Sequence, residues 1–318
     1  MKKLVTLKLV SMTYGGASIG DDIRIEIETL NAFVGFNKRI KQGTIALLNK
    51  DIEQSTYDQL SLEMSVKIKV IERDLVFNDL GSVAALLRID LSGASVQKST
   101  HRVTVKESRG YTSSYTAQFD VILEVVVTDA LQYVEDTGRG WITALSENDS
   151  SQIPMPAYLK VQVYKTTSKR EYFTIMEGLF VGVKASVTLK GGGTSYLQTG
   201  APHTEAAYAT YSMSKKILTV NGKSYVTRDD RESPWQKGVY DIEIPDAPHR
   251  GGWNYGSVPH PLTWFRVGHS GDRYIHTGSA SLGCITVLER DRWEEIYQIL
   301  VKARKGDSRS VGVLDVVE

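Results

Sequence analysis

Residues 121–127 read VILEVVV, and the alternation within them decides the fold class of the first third of the chain. One face of this segment carries Val121, Leu123, Val125 and Val127. Successive side chains of a strand point to opposite faces, so a period of two predicts a half-buried β-strand. Residues 66–70 repeat the pattern, and further strand-like segments are 3–11, 22–29, 42–48, 83–90 and 102–107. Seven or eight short strands joined by polar turns predict a β-sandwich over residues 1–130.

The composition is that of ordinary globular domains. Hydrophobic residues make up 41% and charged residues 24% of 318 residues, enough apolar material for a core in each of two or three domains. The 38 basic and 37 acidic residues leave a formal net charge of +1, which argues against a dedicated nucleic-acid-binding protein. A single cysteine excludes an intramolecular disulfide and hence a disulfide-stapled scaffold.

The N-terminal residues predict neither a signal peptide nor a membrane anchor. The opening is basic, but Lys8 interrupts the apolar stretch that a signal peptide requires. No run of about 18 apolar residues occurs, so no membrane-spanning helix is expected.

Two loop-like stretches divide the rest of the chain. The first comprises a loop-like segment at residues 135–140 and residues 146–156, which are rich in Ser, Asn, Asp and Pro. The second is a linker that begins with Gly-Gly-Gly at residues 191–193. We therefore predict a β-rich middle segment or linker over residues 131–205 and a further domain over residues 206–318. The middle segment forms either a small domain or part of a neighbour.

The C-terminal domain is predicted to be β-rich with one helix, so the whole chain is expected to be mainly β. Asn221-Gly222 separates two alternating runs, and a type I′ turn needs positive φ at both central residues. Asp291 is placed to cap the helix, with Glu294 three residues later. The spacing i, i+3, i+4, i+7 that predicts this helix is that of Trp293, Ile296, Tyr297 and Leu300.

The lone thiol lies in a segment suited to presenting a nucleophile. Gly283 precedes Cys284, and glycine allows a sharp turn and the close approach of a substrate carbonyl. A thiol attacks as its thiolate, so it needs a base, and His276 lies within reach of a folded-back loop. Ser281 and nearby backbone groups are candidates to orient the imidazole or bind an oxyanion. The alternative is a small buried cysteine and a polar histidine without chemistry.

The C-terminal domain resembles the L,D-transpeptidases of the YkuD type. Residues 275–278 (IHTG) resemble the family's apolar-His-Gly element, and residues 281–285 (SLGCI) resemble its Ser-His-Gly-Cys element. Residues 217–227 resemble its opening strands, and residues 233–242 (SPWQKGVYDI) resemble its Thr-Pro-x-Gly-x-Tyr/Phe segment. The resemblance covers roughly residues 210–318.

One position departs from the usual pattern of that family. Leu282 stands where the family's usual base, a histidine two residues before the cysteine, is found. A divergent branch, which includes type VI secretion L,D-transpeptidase effectors, has a His…Ser-x-Gly-Cys pattern with the upstream histidine as base. The resemblance to this branch implies that His276 is the base and Cys284 the nucleophile, with His260 and His269 in reserve.

The resemblance implies cysteine-dependent acyl transfer on peptidoglycan stem peptides, by transpeptidation, exchange or carboxypeptidation, without a cofactor. Arg266, Trp264, Tyr274 and His269 are candidate substrate-binding residues. Acting at the cell wall or periplasm then requires non-classical delivery, as for an antibacterial effector or a phage-type wall-modifying protein. If Leu282 instead marks an inactive site, the alternative is a non-catalytic module that binds the wall or a membrane. A cysteine hydrolase of unrelated fold is a third reading.

The N-terminal domain resembles a C2 domain in its acidic loops. Asp21 and Asp22 lie in an early loop, and Glu72, Asp74 and Asp79 follow a strand. Ca²⁺ takes six to eight oxygen ligands, so these residues are candidate calcium ligands, with solvated loop acids as the alternative. A C2-like domain implies a membrane surface or a protein as partner.

Overall fold

Alternating apolar residues become strands through almost the whole chain, and the protein is mainly β as predicted. The computed structural model describes residues 2–73, 78–107, 115–200 and 203–318. It divides the chain into two compact units, Met1–Ala130 and Leu131–Glu318. Within the described ranges the single α-helix lies near the C-terminus, and no helix there is long and apolar enough to cross a membrane.

The first unit consists of two antiparallel sheets. Its described residues form eight strands, β1 (Lys3–Gly16), β2 (Asp22–Glu28), β3 (Phe33–Arg39), β4 (Ile45–Tyr57), β5 (Ser61–Glu72), β6 (Asp79–Asp90), β7 (Ser95–Lys106) and β8 (Thr116–Asp129). The strand orders are β4-β1-β8-β7 and β3-β2-β5-β6. The predicted segment 121–127 lies within β8, which pairs with β1 and β7.

The core of this unit is formed by the inward faces of both sheets. Val121, Leu123, Val125 and Val127 are buried, as their alternation predicts, and they belong to one apolar cluster with side chains of β2 and β5. Burying such side chains contributes about 1.5–3 kcal/mol each. This pattern explains why the first third of the chain folds as two stacked sheets.

The second unit begins with a sheet built from the predicted middle segment. The strands are β9 (Leu131–Val134), β10 (Trp141–Ser146), β11 (Gln152–Pro156), β12 (Lys160–Thr166), β13 (Arg170–Ile175), β14 (Lys184–Thr188) and β15 (Leu197–Gln198). In the part of the chain that the structure describes, their order is β11-β10-β14-β13-β12-β9-β15. The strands between Leu131 and Gln198 therefore form a sheet inside the same compact unit as the C-terminal region.

The C-terminal region of the second unit forms a mixed sheet with one helix. Its elements are β16 (Ala207–Ser212), β17 (Ile217–Val220), β18 (Lys223–Arg228), β19 (Gly238–Glu243), β20 (Phe265–Arg266), β21 (Tyr274–Thr277), β22 (Ile285–Val287), α1 (Trp293–Lys302) and β23 (Ser310–Val317). The order is β19-β23-β16-β17-β18-β22-β21-β20. Strands β16 and β23 pair in parallel, as do β21 and β22, and the second pair carries the candidate site.

The predicted hairpin turn is confirmed, whereas the predicted helix cap is wrong. Asn221 and Gly222 have φ of 46° and 83°, as a type I′ turn between β17 and β18 requires. A 3₁₀ turn, Arg290–Arg292, precedes α1, and no side chain caps the helix. Asp291 lies inside that turn, and the carboxylate of Glu294 contacts His260 instead. A long-range contact thus replaces the local capping box.

His260 connects the loop after β9 to α1. Its Nδ1 lies 2.8 Å from Glu294 Oε2, and its Nε2 lies 3.3 Å from Asp136 Oδ1. The ring stacks on Tyr297 at 3.8 Å between centroids. Burial by itself lowers the pKa of His260, but the two carboxylates outweigh it and hold the pKa above its ordinary value. A carboxylate accepts hydrogen bonds, so the doubly protonated ring satisfies both neighbours.

We expect the second unit to lose stability as pH rises through the raised pKa of His260. The stabilisation is complete below the unfolded-state pKa of about 6.5 and disappears above the folded-state value. Urea titrations from pH 6 to 9, followed by tryptophan fluorescence, measure this selectively because all five tryptophans lie between residues 141 and 293.

The matched control is a substitution of His269. This histidine is exposed, and its pKa is also raised, chiefly by Glu243. His260→Gln should flatten the pH dependence strongly, and His269→Gln should flatten it slightly. Equal slopes in the wild type and His260→Gln would contradict the assignment.

Candidate active site

The parallel pair β21 and β22 positions the two predicted catalytic residues. His276 lies within β21 opposite Thr286 of β22, and Cys284 directly precedes β22. Adjacent parallel strands usually require a crossover of a dozen or more residues. Here the loop 278–284 makes the connection, so the sequence around the cysteine must turn sharply.

Ser281 and Gly283 shape the turn that presents Cys284. The Ser281 hydroxyl donates to the Cys284 carbonyl at 2.7 Å and accepts from the Gly283 N–H at 3.2 Å. Gly283 has φ of 108°, a conformation that side-chain-bearing residues rarely adopt, and a Cβ there would lie 3.4 Å from Ser233 Oγ. Ser281 therefore braces the loop, whereas the sequence suggested that it orients the imidazole or binds an oxyanion.

The far side of the loop is held by Tyr255 and Arg228. The Tyr255 hydroxyl accepts from the Ser279 N–H at 2.9 Å, and Arg228 donates to the Ser279 carbonyl at 2.9 Å. Hydrogen bonds from Ser279 lower the pKa of Tyr255. Leu282, at the tip, is 95% exposed. The position of the family's usual histidine therefore faces solvent in this chain.

Cys284 is a buried, protonated thiol. It is 8% exposed, and its Sγ donates to the Asp272 carbonyl at 3.7 Å. Burial raises the pKa of the thiol, outweighing the backbone N–H of Tyr274 and the guanidinium of Arg273, which favour the thiolate. At neutral pH the sulfur therefore requires a base before it can attack.

His276 is a buried, neutral imidazole with a defined tautomer. Its Nδ1 lies 2.8 Å from the Thr277 carbonyl, which only accepts, so Nδ1 carries the hydrogen. Its Nε2 lies 3.2 Å from Thr286 Oγ1. Burial lowers the pKa of His276 to about 4, so Nε2 is unprotonated at neutral pH. Among the described residues, the hydrogen bonds of this ring go to Thr277 and Thr286 and not to Cys284.

Three of the predicted substrate-binding residues gather beside His276. Trp264 stacks on the imidazole of His276 at 4.0 Å between centroids. Arg266 donates to the Tyr274 hydroxyl at 3.1 Å and pairs with Asp246 at 2.6 Å. The guanidinium of Arg266 is thus bound to protein groups rather than presented to a ligand.

The fourth, His269, lies in a separate acidic cluster. Its Nδ1 is 2.7 Å from Glu243 Oε1, and its Nε2 is 2.8 Å from Asp241 Oδ2. Glu243 and Asp241 raise the pKa of His269, so this ring is protonated more readily than His276 and is poorly suited to act as a base.

A cleft next to the thiol contains residues that the sequence analysis did not single out. It encloses about 390 Å³, and its walls include Trp235, Tyr240, Asp272 and Arg273. Arg273 donates to Ser233 Oγ at 2.8 Å and lies 4.8 Å above the Trp235 ring. Asp272 connects the cleft to the nucleophile, because it lines the cleft and its carbonyl accepts the hydrogen bond from Sγ.

Two further unpredicted residues adjoin the imidazole. His249 stacks on Trp264 at 4.6 Å and pairs with Asp246 at 3.1 Å. Thr286 lies opposite His276. The signal for Thr286 in the sequence was its place in the strand-like run that follows Cys284. His249 carries no comparable signal, since its position depends on tertiary packing.

The predicted calcium ligands lie in the first unit. Glu72 and Asp79 are buried cross-strand neighbours, Asp22 lies 3.7 Å from Arg73, and Asp21 precedes β2. Asp74 lies outside the described residues. Within the ranges that are described, no group of three or more His, Cys, Asp or Glu side chains is arranged to hold a metal ion, and calcium binding stays a prediction.

Comparisons with known proteins leave the family open. Neither a protein-family profile nor a curated protein matches the chain. Human GIVD cytosolic phospholipase A2 in complex with methyl gamma-linolenyl fluorophosphonate inhibitor and terbium chloride is 10% identical with a TM-score of 0.27, covering 67% of this chain and 34% of that one. Another structure of human GIVD cytosolic phospholipase A2 is 9% identical with a TM-score of 0.25, and the match covers 66% of this chain and 31% of that one. This chain thus spans about a third of their length (34% and 31%), and such TM-scores do not establish a shared fold.

Proposed function

We propose that this protein is a cysteine acyltransferase acting on peptidoglycan stem peptides, with Cys284 as nucleophile and His276 as base. The observation that carries the proposal is the tautomer of His276. Because Nδ1–H is bound to the Thr277 carbonyl, the lone pair of His276 is on Nε2, towards Thr286. Cys284 directly precedes β22, two residues before Thr286, and we assign Nε2 as the base for its thiol.

The proton transfer follows from the resting states of both groups. The transfer requires Sγ to leave the Asp272 carbonyl and to approach Nε2, which calls for another rotamer of Cys284. Catalytic hydrogen bonds are often long or absent before substrate binds. Because the thiol pKa is raised and the pKa of His276 is lowered, both groups are neutral beforehand, and the proton moves from Sγ to Nε2 as sulfur attacks the carbonyl carbon.

In the remaining steps His276 Nε2 gives the thiol proton to the leaving group and then takes a second proton from the acceptor. The C–S bond forms, the scissile C–N bond breaks, and the leaving amine takes the proton from His276 Nε2. An amine, a D-amino acid or water then attacks the thioester and gives its proton to Nε2. Breaking the C–S bond returns the proton to Cys284 and completes transpeptidation, exchange or carboxypeptidation. No step requires a cofactor.

The substrate class rests on the resemblance of residues 210–318 to L,D-transpeptidases and on the character of the cleft. Stem peptides carry free carboxylates, and Arg273 places a guanidinium on the cleft wall, next to the carboxylate of Asp272. The walls of Trp235 and Tyr240 suit the aliphatic parts of such a peptide. We place the action at the cell wall or periplasm after non-classical delivery. The two four-stranded sheets of the described first unit support a C2-like module that docks on a membrane surface or a protein.

The test is mass spectrometry of purified muropeptides incubated with wild type and Cys284→Ala protein. We expect new cross-linked, exchanged or trimmed products from the wild type and none from Cys284→Ala, because the thioester cannot form without sulfur. Circular dichroism and tryptophan fluorescence should be unchanged. Identical product profiles for the two proteins would refute a catalytic role, and products unrelated to stem peptides would favour a cysteine hydrolase of another kind.

A non-catalytic wall-binding module is the second candidate. The hydrogen bond from Sγ to the Asp272 carbonyl, rather than to His276, favours it. Co-sedimentation with isolated sacculi distinguishes the two, because this candidate predicts binding by both wild type and Cys284→Ala together with no products from either.

A further inference from the structure

Thr286 is fully buried, and its hydroxyl faces two groups that compete for one hydrogen. Oγ1 lies 3.2 Å from His276 Nε2 and 3.1 Å from the Ala280 carbonyl. A hydroxyl has one hydrogen to donate. The Ala280 carbonyl can only accept, and neutral His276 also presents an acceptor at Nε2. While His276 is neutral, one of the two acceptors therefore lacks the hydrogen.

Protonation of His276 removes this competition. The imidazolium Nε2–H donates to Thr286 Oγ1, and the hydroxyl hydrogen is then free to donate to the Ala280 carbonyl. Ala280 belongs to the loop 278–284 that ends at Cys284. Ala280 is exposed, but His276 and Thr286 are buried, so water does not readily replace a missing partner at Nε2 or Oγ1. The arrangement in which both hydrogen bonds form is therefore the preferred one.

We propose that Thr286 is a positioning residue whose hydroxyl stabilises the protonated form of His276 and thereby fixes the loop that carries Cys284. The inference rests on the proposed acyl transfer, in which His276 accepts the thiol proton. It adds a third group to the predicted pair and explains why a hydroxyl-bearing residue faces the base inside an apolar sheet.

Other ionisable groups around His276 act differently. His249, stacked on the same Trp264, disfavours a second positive charge and lowers the pKa of His276. Asp246 pairs with His249 and with Arg266. Cys284, which directly precedes β22, is the proton donor itself. Thr286 is thus a second neutral acceptor, after the Thr277 carbonyl, that can offset the loss of solvation.

The test is the pH dependence of alkylation of Cys284 by iodoacetamide, read by mass spectrometry. The chain has one cysteine, so the site of modification is unambiguous. Below pH 7 the free thiolate is scarce, and alkylation there reports proton transfer to His276. We expect His276→Gln to abolish the reaction at pH 5–6.5. Thr286→Val, which keeps the side-chain shape, should slow it about tenfold, equivalent to one pKa unit.

Two controls distinguish positioning from mere packing. Thr286→Ser should recover the wild-type rate within about threefold, and Thr286→Val should have no further effect in the His276→Gln background, as expected for coupled residues. The inference is overturned if Thr286→Val has the wild-type pH dependence of alkylation. It is also overturned if Thr286→Ser slows alkylation as much as Thr286→Val does. The assay uses no peptidoglycan, so absent wall products with an intact Thr286 effect would refute only the proposed function.

Discussion

Replacing His276 with glutamine is expected to lower the rate of acyl transfer by about 10²- to 10⁴-fold, the usual contribution of a general base. Glutamine cannot take the proton of the Cys284 thiol, whose pKa is raised by burial. The neutral dyad makes this dependence strong, because no preformed thiolate exists at neutral pH to replace the base. The measurement is initial-rate analysis of muropeptide products from pH 6 to 9.

The pH profile of the variant carries the diagnostic information. Without the base, the residual activity should rise with pH as bare thiolate forms at the raised pKa of Cys284. His101→Gln is the matched control, since His101 is a half-buried histidine in the first unit, 2.8 Å from Ser99 Oγ. It should retain the wild-type rate. A His276→Gln variant as fast as wild type at pH 7 would exclude His276 as the base.

Replacing Glu177 with alanine is expected to destabilise the second unit by about 3–5 kcal/mol, the cost of leaving one member of a buried ion pair alone. Glu177 and Arg304 have side chains that are 4% and 11% exposed, with 2.8 Å between Oε1 and Nη2. Arg304 also donates to the carbonyls of Tyr158 and Ala303. Removing Glu177 leaves this charge buried between the middle sheet and the end of α1.

Urea denaturation followed by tryptophan fluorescence measures the loss, because every tryptophan lies in the second unit. Glu318→Ala is the matched control. Glu318 pairs with Lys237 at 2.5 Å, but both side chains are more than 60% exposed (75% and 62%). We expect that variant to lose far less stability than Glu177→Ala, because exposed ion pairs are screened by solvent. Equal losses of unfolding free energy in the two variants would show that burial of the Glu177–Arg304 pair does not increase its contribution to stability.

Local signals in the sequence predicted elements well where neighbouring residues determine the conformation. The alternation at residues 121–127 predicted β8, and Asn221-Gly222 predicted a type I′ turn, because strand pleat and positive φ are local requirements. The capping box at Asp291 failed for the opposite reason. Glu294 lies beside His260, which is distant in sequence, and no local pattern records that competition.

The candidate site shows the same division. The sequence singled out Cys284, His276 and Gly283 from local context and family resemblance. It missed Arg273, which borders the cleft through a turn that packs against Ser233. It also predicted that Arg266 binds substrate, whereas the guanidinium of Arg266 pairs with Asp246. Ion pairing between distant segments is decided by packing and not by spacing.

What the sequence determined by itself was the mainly β architecture, because period-two alternation and turn residues act over a few positions. It also determined which residues could do chemistry, because the chain has one thiol and six histidines. Only the tertiary structure decided their protonation. Burial lowers the pKa of His276, and the Thr277 carbonyl selects its tautomer. Both effects depend on removing water and on neighbours that a linear pattern does not specify.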